Sequence, residues 1–159
     1  MSRRWIFPVV AVIMLVLDQI SKQWIRSNLL PGETIPVIGP LSIVHAQNTG
    51  SAFSLFTDHT LVLSIINIIG LIVILLFYIR VSGTGILGNL ALGLVFGGAL
   101  GNLIDRLRLG HVTDFIDVRL WHDYHWPAFN VSDSAISIGV IALIFFILWG
   151  LKKEDASSS

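Results

Sequence analysis

The side chains able to do chemistry are gathered into a few short stretches. The densest is His111-Val112-Thr113-Asp114-Phe115-Ile116-Asp117, followed by Pro127-Ala128-Phe129-Asn130-Val131-Ser132-Asp133. Asp114 stands in an apolar frame of Val112, Phe115 and Ile116, and Asp133 opens a long apolar run. Two carboxylates that meet at an apolar, partly dry surface cannot both ionise easily. One keeps a proton and the other serves as a base. Such a pair can activate water for peptide hydrolysis. The competing role for Asp133 is to cap its helix, because helix N-termini favour anions. Spacing alone leaves both roles open.

Other chemistries draw on the same residues. His111, His122 and His125 with Asp114 or Asp117 offer metal-ligand types, but the His122-x-x-His125 spacing sits beside Pro127, where helical geometry is doubtful. Ser51 or Ser132 with Lys22 would make a Ser/Lys hydrolase, yet no Gly-x-Ser-x-Gly elbow is present. Asn130-Val131-Ser132 matches a glycosylation sequon but abuts an apolar run.

Polar groups also interrupt the apolar runs. Asp18 and Lys22 are four residues apart, hence on one helix face, where a structural ion pair is the simplest reading. Gly93, Gly97 and Gly101 recur at four-residue spacing, a small-residue stripe that permits close helix packing. Asn102, Asp105 and Arg106 follow at three- and four-residue spacing, as either an interfacial cap or the wall of a site.

The elements that carry these groups follow from composition. Of 159 residues, 54% are hydrophobic and 13% charged, and the mean hydropathy is +0.81. Soluble domains are nearer 45–50% apolar and about 25% charged. Ten Lys and Arg balance ten Asp and Glu, so no net field attracts a nucleic acid. The absence of cysteine excludes disulfides, zinc–thiolate sites and a Cys nucleophile. A spanning helix needs about 20 mainly apolar residues. Four segments qualify, at about 5–24, 61–78, 86–104 and 134–151. Arg3 and Arg4 precede the first as they would in a signal peptide, but no small-x-small cleavage site follows, which predicts a retained span.

An even number of spans puts both termini on one side. Five basic residues fall on each side, and the unpaired flanks favour cytoplasmic termini. Residues 25–60 and 105–133 then lie together on the outer face, and residues 79–85 form a short cytoplasmic turn. The β-prone pieces 34–38 and 41–44 predict a small sheet on the membrane surface. The tail 155–159 is expected to be disordered. The fold class is thus an all-α membrane protein of four transmembrane helices in a single domain, with a small extracytoplasmic sheet.

On these residues the sequence resembles the bacterial lipoprotein signal peptidase, or signal peptidase II, family. Five blocks match in order: Asp18-Gln19-x-x-Lys22; Asn48-Thr49-Gly50-Ser51-Ala52-Phe53; Gly98-Ala99-x-Gly101-Asn102-x-x-Asp105-Arg106; Val112-Thr113-Asp114-Phe115-Ile116; and Phe129-Asn130-x-x-Asp133-Ser134. Ser132 stands where the family usually has Ala. The resemblance implies an aspartic peptidase of the bacterial cytoplasmic (inner) membrane, with Asp114 and Asp133 as the dyad at the extracytoplasmic face. Its substrate would be a prolipoprotein carrying diacylglyceryl on its lipobox Cys, cleaved just before that Cys. It implies no metal or other cofactor, contact with membrane lipid, and a monomer. Asn48, Gly50, Asn102 and Asn130 would bind substrate or orient the dyad. Asp105 and Arg106 would shape the pocket, Asp18 and Lys22 would support the structure, and the first long loop would supply a lid. A small scaffold protein would leave the two carboxylate blocks unexplained. A proton-coupled transporter would place its carboxylates nearer mid-bilayer.

Overall fold

The computed structural model describes residues 3–50, 60–81, 85–122 and 124–158, with the backbone alone described at 3, 81 and 150–158. Ser51, Ala52, Phe53 and the 51–59 part of the expected lid lie outside the described residues. Four long helices dominate: α1 (Ile6–Asn28), α2 (Thr60–Val81), α3 (Ile86–Leu109) and α4 (Val131–Ser158). Each is long and apolar enough to cross a membrane. Strands β1 (Thr34–Ile38), β2 (Leu41–Asn48), β3 (Val112–Trp121) and β4 (Tyr124–Phe129) form one antiparallel sheet in the order β1-β2-β3-β4.

The helix α3 is the centre of the bundle. About 67% of its apolar window is buried, against 28% for α1 and 17% for each of α2 and α4. The outer faces of α2 and α4 carry Ile65, Ile69, Ile72, Ile141, Phe145 and Leu148 exposed, as a lipid solvent requires. Small residues let the neighbours of α3 approach on two sides. A Cβ added at Gly97 would lie 2.6 Å from the Ala11 carbonyl oxygen of α1, and one at Gly98 would lie 2.6 Å from the Ser132 carbonyl oxygen of α4. Those contacts bring Asp18 and the first turn of α4 against the same stretch of α3.

Three helices run further than the apolar runs suggest. Helix α1 continues to Asn28 and α3 to Leu109, so Arg26, Asp105 and Arg106 are helical rather than part of loops. Lys22 is completely buried, enclosed by Asn102 and Asp105 of α3. Helix α3 stops where Gly110 takes a left-handed conformation (φ 77°) and donates its N–H to the Arg106 carbonyl at 3.1 Å. Helix α4 runs on through Ser158, where a disordered tail was expected. Its run Leu151-Lys152-Lys153-Glu154 consists of good helix formers.

The first long loop supplies β1 and β2 where the β-prone pieces lie. The second contributes β3 and β4, which hydropathy alone did not reveal. In β3 the residues Val112 to Phe115 are all buried, so no polar–apolar alternation marks the strand.

Candidate active site

The alternation of β3 aims Asp114. Phe115 packs with Ile25 of α1 and with Leu29 just beyond that helix in a small apolar core. Thr113 accepts a hydrogen bond on Oγ1 from Arg26 Nη1 at 3.0 Å. Successive side chains on a strand point to opposite faces. Asp114, between these two, therefore faces away from α1 and towards the first turn of α4.

Asn130 joins the two carboxylates. Its Nδ2 donates to Asp114 Oδ1 at 2.6 Å, while its backbone N–H donates to Asp133 Oδ2 at 3.1 Å. Its Oδ1 in turn accepts the Asp133 backbone N–H at 3.0 Å. This is a reciprocal capping box with Asn130 at the N-cap and Asp133 in the third helical position. The capping carboxylate and the candidate dyad carboxylate are thus one side chain. Asp133 uses Oδ2 for the cap and accepts from Asn102 Nδ2 on Oδ1 at 2.8 Å. Asn48 completes the cradle, donating to Asp114 Oδ2 at 2.8 Å, and its Oδ1 is fixed by the Gly50 N–H at 2.9 Å.

Asp114 and Asp133 line one cavity of about 550 Å³ with Asn48, Arg106 and an apolar wall that includes Trp126, Phe129 and Ile136. Burial raises the Asp114 pKa to about 7, and the nearby Asp133 charge pushes the same way. The amides of Asn48 and Asn130 favour the ionised form and oppose the rise. Arg106 donates from Nη2 to the Gly50 carbonyl at 3.3 Å, and Asp133, Asp114 and Asp105 are the carboxylates acting on it.

Behind the cavity lies a second polar cluster, fully enclosed. Lys22 Nζ is 2.9 Å from Asp18 Oδ2 and 3.4 Å from Asp105 Oδ2, and donates to Asn102 Oδ1 at 2.8 Å. Asp18 Oδ1 accepts the Ser132 N–H at 3.0 Å, next to Asp133 in sequence. Asn102 therefore stands between the clusters, its oxygen on Lys22 and its nitrogen on Asp133. Asp105 turns away from the cavity. It accepts the Thr113 N–H at 3.1 Å and pairs with Arg26 at 3.5 Å. Adjacent residues on a helix diverge by about 100°, which is why Arg106 reaches the cavity and Asp105 does not.

Arg26, Thr113 and Gln19 were given no role from the sequence, yet all three hold Asp105. The signal available for Arg26 was its four-residue step from Lys22 on the Asp18 face.

The alternative chemistries find different surroundings. His125 Nδ1 lies 2.8 Å from Asp117 Oδ2 on the sheet, and neither residue lines the cavity. Among the described residues, no three His, Asp or Glu side chains are grouped to hold a metal ion. The Lys22 ammonium is taken by Asp18, Asp105 and Asn102, whereas Ser132 Oγ is buried with no hydrogen-bond partner among the described residues. A buried hydroxyl without a partner costs about 1–3 kcal/mol. Ser132→Ala is therefore expected to be neutral or to stabilise by up to about 1 kcal/mol. Thermal unfolding in detergent checks this, and a clear loss of stability would mean that the hydroxyl has a partner.

The sequence and fold have close counterparts. The family model described as signal peptidase (SPase) II matches residues 10–149. A lipoprotein signal peptidase of Moorella thermoacetica is 43% identical over 143 residues, covering 89% of this chain and 92% of its own. One from Geobacter sulfurreducens is 46% identical over 142 residues, covering 87% and 88%. A solved structure described as a bacterial membrane enzyme superposes with a TM-score of 0.84 at 34% identity, covering 91% of this chain and 88% of that one. A second with the same description gives 0.78 at 36% identity, with 88% and 90% covered. With its four membrane-crossing helices and this match along nearly its whole length, the chain belongs to the signal peptidase II family of membrane peptidases.

Proposed function

We infer that the protein is an aspartic endopeptidase that removes the signal peptide from prolipoproteins, with Asp114 and Asp133 as the catalytic pair. The observation that carries this reading is the placement of both carboxylates on one cavity, bridged by Asn130. An Asp114 pKa near 7 lets the pair share one proton at neutral pH. The ionised carboxylate takes a proton from water as its oxygen attacks the scissile carbonyl. The protonated carboxyl donates to the developing oxyanion, and a proton is then delivered to the amine as the C–N bond breaks. Asn48, Asn102 and Asn130 hold the carboxylates in register, and Arg106, bonded to the Gly50 carbonyl, forms the adjoining wall.

The apolar side of the cavity suits a substrate that lies in lipid. The substrate is a precursor bearing diacylglyceryl on Cys, cut just before that residue. The direct assay is cleavage of such a precursor beside its unlipidated form. Cleavage of neither would overturn the reading. Activity is expected to fall as pH rises through about 7, because the shared proton is then lost. The Asn48 amide favours ionised Asp114. Asn48→Ala should therefore raise this pKa and move the alkaline limb of kcat/KM to higher pH, at a lower maximum. A limb that stays in place or moves down would remove Asn48 from the pair.

In this reading the sheet and dyad lie at the outer face of the bacterial cytoplasmic membrane, with both termini inside. Reporter fusions after Arg80 and after Lys153 should read cytoplasmic, and one near Gly32 external. An inverted pattern would separate the dyad from exported substrates.

A further inference from the structure

A second groove, of about 610 Å³, runs along the outside of α1 on the sheet side of the bundle. Its lining shares no residue with the dyad cavity. At one end are Arg26, Ser27 and Asn28 of α1 with Arg108 of α3, and at the other are Val16 and Ile20. Trp24 stands beside the polar end, half exposed. No carboxylate lines the groove. Arg26 is engaged by Asp105, Thr113 and Gln23, whereas Arg108 is exposed and has no hydrogen bond or ion pair among the described residues.

The geometry points to a site for an anionic phospholipid of the surrounding membrane. The charge is complementary, since arginine guanidinium groups bind phosphate through paired, charge-assisted hydrogen bonds. The length also fits. Arg26 lies ten residues beyond Val16, about 15 Å along the helix at 1.5 Å per residue. That is half of a hydrocarbon core about 30 Å thick. A headgroup held at Arg26 and Arg108 would lay an acyl chain over Ile20 and Val16, within one leaflet. Trp24 at the headgroup level matches the usual place of an interfacial aromatic. Ser27 and Asn28 supply polar groups for the rest of the headgroup. The site does not depend on the reaction proposed above.

The test uses the full chain purified in zwitterionic detergent. Phosphatidylglycerol, phosphatidylcholine and inorganic phosphate are titrated separately, with bound lipid counted by native mass spectrometry and unfolding followed by temperature. Phosphatidylglycerol should bind saturably and raise the unfolding temperature. Each arginine near anionic headgroups contributes about fivefold in binding, so Arg108→Gln should weaken the affinity about fivefold. Arg108→Glu should abolish binding, and Arg108→Lys should largely keep it. Arg108 lines no part of the dyad cavity, so precursor cleavage by Arg108→Gln at the normal rate reports intact folding. Equal binding of phosphatidylglycerol by wild type and Arg108→Gln would overturn the proposal. So would equal binding of phosphatidylcholine, the mark of an unselective lipid belt, or equal protection by inorganic phosphate.

Discussion

Asp114→Asn and Asp133→Asn are each expected to abolish precursor cleavage while the protein still folds and inserts. Asparagine keeps the size of the side chain and an acceptor oxygen. At position 133 that oxygen can take the hydrogen bond from Asn102 or the one from the Asn130 N–H, so the start of α4 survives. What asparagine lacks is a proton to give and the basicity to accept one. General acid–base catalysis contributes about 10²–10⁴-fold, and in the proposed mechanism this pair also positions the water, so either loss should bring the rate near background. Asp117→Asn is the control. Its carboxylate faces His125 on the sheet and lines no part of the cavity, so most activity should remain. Chelators should leave the wild type unchanged. Inactivation by EDTA, or loss of activity in His122→Ala and His125→Ala with Asp133→Asn still active, would replace the aspartic mechanism with a metal-dependent one.

The largest effect on stability is expected from Lys22→Met. The Lys22 and Asp18 side chains are both 0% exposed, so neither charge can reach water when its partner is removed. Breaking a buried pair by removing one partner costs about 3–5 kcal/mol. Lys22→Met removes the cation beside Asp18 and leaves Arg26 as the cation on Asp105, so the loss should lie at the upper end. Asp18→Asn should cost less, because Lys22 keeps Asp105 and Asn102. It should also retain turnover per folded molecule, since an amide oxygen can still accept the Ser132 N–H. Unfolding of both single variants and the double variant in detergent gives the coupling directly. Strictly additive losses would mean that the two residues do not act as a pair. A fully folded Asp18→Asn with no turnover would move Asp18 into the reaction itself.

Much of this protein is legible in its sequence because the membrane imposes a local code. A helix must satisfy its own backbone in lipid, so each span appears as an unbroken apolar run, and any polar residue within one stands out. That code located all four helices and marked Asp18, Lys22 and Asn102 within the runs as unusual. The β-prone pieces 34–38 and 41–44 were readable for a similar reason, since strand propensity and turn residues are local. The resemblance carried by the five blocks paired Asp114 with Asp133.

The tertiary structure decided what depends on distant neighbours. Strand β3 is buried along its first half on both faces, by α1 on one side and by the dyad cavity on the other, so its periodicity is erased. Spacing put Asn102, Asp105 and Arg106 on one helix face, but packing divided them. Asp105 faces Arg26 and Lys22, Arg106 faces the cavity, and Asn102 bridges Lys22 to Asp133. The depth of Lys22 was also hidden. A lysine six residues before a helix end reads as interfacial until a second helix and its carboxylate enclose it. Apolar burial is written in the chain residue by residue. Beyond Asp18, the partners that enclose the Lys22 charge, Asn102 and Asp105, lie about 80 positions away in sequence and are known only once the helices meet.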